Sequence, residues 1–175
     1  MDFETLIKTR QSCRNFSEKP VPRPEIEACL EAARLAPSAC NAQPLYLSVC
    51  TGELGAKVGA CTRSMGMNGF TEKVPCFVVV SEQNYNATAA MGSRVKDQDY
   101  RSIDIGIASA HLVLAAAERG LASCILGWFD EKKLRELLGV KGRIRLVIAL
   151  GYAAEGDPVR PKKRKTLDEL ADFRQ

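Results

Sequence analysis

The most informative segment for the fold is residues 102–120, which read SIDIGIASAHLVLAAAERG. Ser102 is a suitable N-cap and Gly120 a suitable terminator, so we predict the longest helix of the chain between them, running to Arg119. Its apolar residues, among them Ile103 and Leu112, do not keep to one face. A helix that is apolar around most of its circumference is buried on several sides. In a domain of this size, we expect one face of this helix to pack on a second subunit.

The segments on either side of this helix predict a sheet. Short apolar runs indicate strands at 45–50, 76–80, 121–126 and 143–151. Helical spacing of apolar residues predicts helices at 2–8 and 24–36, a weaker one at 53–62, and another that begins after Asp130. Residues 64–73 and 82–101 lack a period and are predicted to be loops. Helices come first and then alternate with strands, which is typical of an α+β domain with a central sheet covered by helices.

The overall composition indicates which kinds of protein this chain can be. The chain has 175 residues, 46% hydrophobic and 26% charged, as expected for one globular domain spanning 1–175. It shows no bilayer-spanning apolar run and no secretory signal, so we expect a cytoplasmic protein that does not bind membranes. Seven cysteines, no two closer than ten positions, indicate free thiols in a reducing compartment, although a redox role for Cys13 or Cys40 stays open. A net charge of +4 is too mild to indicate nucleic-acid binding, and the basic stretch near the C-terminus lacks interleaved aromatics.

The chain has few of the side chains, histidine above all, that usually carry out acid–base catalysis or bind metal ions. It contains one histidine, His111, inside the apolar helix, so a two-histidine metal site is excluded and we expect no metal. It also lacks the Gly-x-Gly-x-x-Gly fingerprint of dinucleotide-binding folds. We therefore expect no catalytic side chain, and an organic cofactor that supplies the reactivity.

Four segments carry the functional prediction. Arg10-Gln11-Ser12-Cys13-Arg14-Asn15-Phe16 offers guanidinium and hydroxyl groups for a phosphate, or it is simply a basic helix end. Residues 36–44 hold two amides between two prolines, and they suit either the edge of a heterocycle or a turn-rich loop.

The other two segments lie in the second half of the chain. In residues 124–130, Gly127 allows a flat ligand near the backbone and Trp128 could wall a ring, or the aromatics are core residues. Gly151 and Tyr152 are followed by the basic residues 160–165, which form either part of a phosphate site or a solvated tail.

These four segments, in this order and across the whole chain, resemble the nitroreductase family. The resemblance lies in an Arg-x-Ser-x-Arg-x-Phe motif at 10–16, Pro-Ser-x-x-Asn-x-Gln-Pro at 37–44, a strand ending at Gly127, and Gly-Tyr with a Pro/Lys/Arg tail. It implies a mixed, mostly antiparallel sheet flanked by helices, an intertwined homodimer, and flavin mononucleotide (FMN) at the subunit interface.

The resemblance also implies the binding residues. Arg10, Gln11 and Ser12, with Lys162 and Arg164, would bind the FMN phosphate and ribityl chain. Arg14 would lie toward the N1/O2 side of the ring, where a cation stabilises negative charge, and Asn68 near the pyrimidine. Leu126 and Gly127 would meet the ring near N5 through backbone atoms. The partner subunit would contribute five residues that line the flavin: Pro37, Ser38, Ala39, Asn41 and Gln43.

The implied reaction is ping-pong transfer of electrons from NADH or NADPH, through FMN, to a small acceptor such as a nitroaromatic or a quinone. Two alternatives on the same fold stay open: a flavin-binding or storage module without turnover, and an enzyme of the flavin-destructase or dehalogenase type. The shortness of segment 82–101, where larger family members carry an inserted hairpin, leaves the acceptor undetermined.

Overall fold

The computed structural model describes residues 1–174. Its helices and strands, in chain order, are α1 (Phe3–Thr9), β1 (Phe16–Ser17), α2 (Arg23–Arg34), β2 (Leu45–Thr51), α3 (Gly52–Thr62), β3 (Cys76–Glu82), α4 (Ala87–Lys96), α5 (Tyr100–Glu118), β4 (Ala122–Leu126), α6 (Glu131–Leu138) and β5 (Ile144–Ala153). Short 3-10 turns lie at Ala39–Asn41, Ser64–Gly66 and Gly69–Lys73.

The sheet is built around β5, the longest strand. β5 pairs with β3, β4 and β1, and β2 pairs with the far side of β3. All four pairings are antiparallel, and one isolated parallel bridge joins Ser12 to Ser123 of β4. The predicted α+β class with a mostly antiparallel sheet is therefore confirmed.

Helices cover both faces of the sheet. Alternate residues of the central strands point toward opposite faces, and both faces carry apolar side chains that must be buried. On one face, Val78 and Val80 of β3 pack with residues of α2 and α5. On the other face, Phe77 and Val79 pack with Val58 of α3 and with residues of α6. A strand buried on both faces is apolar at every position, which explains the continuous apolar run that predicted β3.

The prediction of an irregular loop at 82–101 is wrong. Helix α4 occupies 87–96, and the Asn86 side chain caps it by accepting a hydrogen bond from Ala89 N at 2.9 Å. The predicted N-cap at Ser102 is also wrong, because Asp99 caps α5 and accepts from Ser102 N at 3.1 Å. Cap side chains rather than apolar spacing set these helix starts, so a search for periodicity missed them. The two-residue strand β1 is too short to leave a pattern.

Helix α5 leaves part of its apolar surface uncovered within one chain. Its buried residues face α2 and the sheet, whereas Ile103 is 44% exposed, and Gly106 and Ala110 on the same side are exposed. These residues recur at three- and four-residue spacing and so share one face of the helix. Within residues 1–174, no helix is long and apolar enough to cross a membrane.

Candidate functional site

The two ends of the chain meet beside β4. Cys13 N donates to Ser123 O at 2.9 Å, which ties the segment after α1 to the strand. The Gln11 side chain then holds the C-terminal tail with both of its polar atoms. Its Nε2 donates to Pro158 O, and its Oε1 accepts from Arg160 N, each at 3.0 Å. The Lys162 ammonium donates to the Arg10 carbonyl oxygen.

This contact collects positive charge without matching carboxylates. Partial burial, together with the nearby charges of Arg10 and Arg164, lowers the pKa of Lys162 below its ordinary value. Among residues 1–174, no carboxylate pairs with Arg10, Arg14, Lys162 or Arg164 at salt-bridge distance. A crowded group of cations that lack counter-charges is the arrangement expected of an anion site.

Arg160 differs from the neighbouring cations. Its guanidinium pairs with Asp157, with Nη2 and Oδ2 separated by 3.1 Å. Asp157 is nearly buried and also lies 3.9 Å from the Cys13 thiol. Sequence reasoning missed Asp157, although the Gly156-Asp157-Pro158 turn directly before the cations was a signal for an anchored tail.

The carboxyl end of β4 continues the same surface. Ser12 and Arg14 both lie near Cys124, where they oppose the rise that burial causes in the thiol pKa. Leu126 is buried, and the next residue, Gly127, is exposed. A Cβ added to Gly127 would meet no atom within 4 Å, so the backbone there is open to a flat ligand.

The loop at 64–68 is fastened to this turn by Trp128, which sequence reasoning left undecided between ring wall and core. The indole is 45% exposed, and its Nε1 donates to Ser64 O and Oγ, each at 3.1 Å. Asn68 has a left-handed backbone, and its Nδ2 donates to the carbonyl oxygens of Thr62 and Trp128, each at 3.2 Å. The structure thus brings Asn68 to the 126–128 turn, with its amide nitrogen committed to the protein.

Residues 37–43 do not join this group within one chain. They precede β2 at one edge of the sheet, whereas β4 lies at the other side of β5. Three strand spacings separate β2 from β4, a distance of roughly 14 Å. The segment is held by its own bonds: Gln43 N donates to Ser38 Oγ at 3.0 Å, and Gln43 Nε2 donates to Asn41 Oδ1 at 3.1 Å.

The described residues contain no cluster of metal ligands, and burial keeps several of their cysteines as thiols. Residues 1–174 contain no group of three histidine, cysteine or acidic side chains that could hold a metal ion. Burial raises the pKa of Cys29 to about 11 and that of Cys76 to about 12. Burial also raises the pKa of Cys13, which disfavours a thiolate role at this position.

Known proteins match the chain over nearly its full length. The model of the Nitroreductase family matches residues 7–65 and 62–152. An NADH dehydrogenase/NAD(P)H nitroreductase of Archaeoglobus fulgidus is 31% identical, over 95% of this chain and 90% of that protein. Iodotyrosine deiodinase 1 of Rattus norvegicus is 24% identical, over 97% of this chain and 68% of that protein.

The fold matches solved structures as well. The FMN-dependent nitroreductase NfnB of Mycobacterium smegmatis, solved with NADPH, superposes with a TM-score of 0.81 at 22% identity, covering 98% of this chain and 97% of that one. Because the family model covers most of the chain and a relative of more than 30% identity spans nearly all of it, the chain belongs to the nitroreductase family.

Proposed function

We propose that this protein is an FMN-dependent oxidoreductase that passes electrons from NADH or NADPH to a small acceptor, and that residues 1–175 form one FMN-binding domain. One observation carries the proposal: Arg10, Lys162 and Arg164, from the two ends of the chain, converge without carboxylate partners among residues 1–174. They do so next to the segment that bridges to β4, the strand that ends at the open turn of Gly127. The relatives support the cofactor and the donor, because one is named an NAD(P)H nitroreductase and another is FMN-dependent.

The residues present fit FMN. The cations at Arg10, Lys162 and Arg164 match a phosphate dianion, and the Ser12 hydroxyl adds a hydrogen-bond donor. Both polar atoms of the Gln11 side chain are occupied by the tail, so its role is to hold the basic tail in place. Asn68 fastens the loop that borders the ring.

FMN, when bound, supplies hydride acceptance and electron donation at its ring. The chain binds and orients the partners of that reaction. Leu126 and Gly127 offer backbone groups near the ring, and the missing side chain at Gly127 lets the ring approach closely. Arg14, exposed and near Cys124, provides a positive charge that favours the reduced, more negative ring.

The active form is proposed to be a homodimer. Three strand spacings separate Gly127 from the segment that contains Pro37, Ser38, Ala39, Asn41 and Gln43, and this separation supports a flavin that they line in the partner subunit. The uncovered apolar face of α5, with Ile103 and the small residues Gly106 and Ala110, gives a surface for close helix packing between subunits. The seven free cysteines favour a cytoplasmic location.

Reductive dehalogenation is the second candidate. The rat relative named iodotyrosine deiodinase 1 supports it. Turnover of a nitroaromatic or a quinone without release of halide from halophenols would favour the first candidate, and the opposite profile would favour the second.

The decisive test is the visible spectrum of the purified protein. We expect a yellow protein that releases FMN on denaturation and oxidises NADH or NADPH steadily when a quinone or nitroaromatic is supplied. Bound FMN without turnover would indicate a flavin-storage module. A colourless protein that takes up no added FMN would refute the assignment.

A further inference from the structure

Asp104 is a buried carboxylate on an otherwise apolar part of α5. Only 3% of the residue is exposed. Its Oδ1 accepts a hydrogen bond from Ala39 N at 3.0 Å, and its Oδ2 is buried without a partner among residues 1–174. Burying a carboxylate with one unpaired oxygen costs free energy, so its presence here calls for a specific role.

The segment that Asp104 holds has an unusual backbone. Cys40, Asn41 and Gln43 have φ of 50°, 50° and 46°, in the left-handed region that non-glycine residues rarely adopt. Such a conformation persists only where surrounding contacts enforce it. Two side chains outside the segment do so: Asp104, through Ala39 N, and Asn86, whose Nδ2 donates to Cys40 O at 3.1 Å.

Asp104 also lies at the junction of two surfaces. It belongs to α5, whose exposed face is the proposed subunit contact, and it lines a cavity of about 360 Å³ between α2, β2 and residues 36–38. The same cavity is bordered by Ser38 and Gln43. Asp104 therefore connects α5 to the flavin-lining segment through its hydrogen bond with Ala39.

We propose that Asp104 is a positioning residue for the active site: its Oδ1 holds residues 37–43 in the observed conformation, with Cys40, Asn41 and Gln43 left-handed, in which Ser38, Asn41 and Gln43 line the flavin of the partner subunit. This inference rests on the proposed FMN function and dimer. Asp104 itself does not touch the flavin, and it acts through the backbone of Ala39.

The test measures FMN affinity and dimerisation of the full-length protein. Asp104→Ala removes the acceptor and is expected to weaken FMN binding about tenfold, equivalent to about 1.4 kcal/mol, while sedimentation still shows a dimer. Asp104→Asn keeps a carbonyl oxygen at the same place and is expected to bind FMN within about threefold of the parent. Ser109→Ala, at another buried polar residue of α5, is the matched control and should leave affinity unchanged.

A variant on the segment side covers the case in which Asp104→Ala fails to fold. Ala39→Pro removes the donor without altering α5. Proline suits the first position of the 3-10 turn, and Ser38 before it is already extended, at φ −142° and ψ 154°. We expect the same loss of about tenfold. A double-mutant cycle then tests the route: Asp104→Ala and Gln43→Ala together should cost less than the sum of their separate losses.

Several outcomes would overturn the inference. These are parent-like FMN binding by Asp104→Ala or Ala39→Pro, equal losses in Asp104→Ala and Ser109→Ala, a loss in Asp104→Asn as large as that in Asp104→Ala, or strict additivity with Gln43→Ala. Failure of the proposed function looks different, because the parent protein itself would then bind no FMN.

Discussion

Replacing Lys162 by glutamine isolates the contribution of the basic tail to FMN binding. Glutamine can still donate to the Arg10 carbonyl oxygen, so the tail should remain in place while its positive charge is lost. A hydrogen bond to a charged group contributes about 1.5–3 kcal/mol, which corresponds to a loss of FMN affinity of roughly 10- to 150-fold. Fluorescence titration of FMN into the flavin-free protein measures this loss.

Riboflavin, which has the same ring but no phosphate, is the discriminating ligand. If Lys162 acts on the phosphate, Lys162→Gln should bind riboflavin as the parent does. Lys163→Gln, at the exposed neighbouring position, is the matched control and should change neither affinity by more than about threefold. Equal losses for FMN and riboflavin, or an equal effect at Lys163, would refute the phosphate role.

The same lysine predicts a pH dependence. The pKa of Lys162 is lowered by partial burial and by Arg10 and Arg164, and a bound phosphate would raise it again. FMN affinity should therefore fall as pH rises through the lowered pKa of the free protein, at a lower pH than an ordinary lysine would give. In Lys162→Gln, this fall should disappear. An unchanged pH profile in the variant would assign the effect to another group.

Three further predictions concern the ring, the backbone and the dimer. Arg14→Ala should slow reduction of bound FMN by NADH at least tenfold in stopped-flow measurements, with little change in melting temperature; parent-like reduction would refute its role. Gly127→Ala should weaken FMN binding with little loss of stability, whereas Gly151→Ala, whose Cβ would lie 2.8 Å from Pro75 Cδ, should cost about 1–3 kcal/mol of unfolding free energy. Ile103→Arg should yield a monomer that binds FMN poorly, while Leu54→Arg on α3 should remain dimeric by sedimentation.

Much of the fold could be predicted because local patterns specify local structure. The sequence alone predicts β3 from its apolar run, and it predicts the start of α6 from the capping residue Asp130. Helix α4 could not be predicted in the same way, because its residues carry little apolar periodicity. Its start depends on the Asn86 cap, a single residue in a polar stretch.

Part of the candidate site could also be predicted from the sequence. The basic motifs at 10–14 and 160–165 contain the residues that meet where the two chain ends converge, whereas the amide motif at 37–43 lies across the sheet from them. Asp104 and Asp157 gave only weak signals, because the role of a buried carboxylate depends on the backbone or side chain that folding places beside it. Their partners lie 65 residues away in one case and, at Cys13, 144 residues away in the other.

Most helices and strands other than α4 and β1, the exclusion of a two-histidine metal site, and the groups available to hold a phosphate could be read from the amino-acid sequence alone. The folded structure was needed to show that Arg10 and Lys162 meet, that Asn68 and Trp128 fasten one loop to another, and that residues 37–43 lie across the sheet from Gly127. The difference arises because capping and periodicity act over a few neighbouring residues, whereas folding brings together groups that are 60 to 152 positions apart.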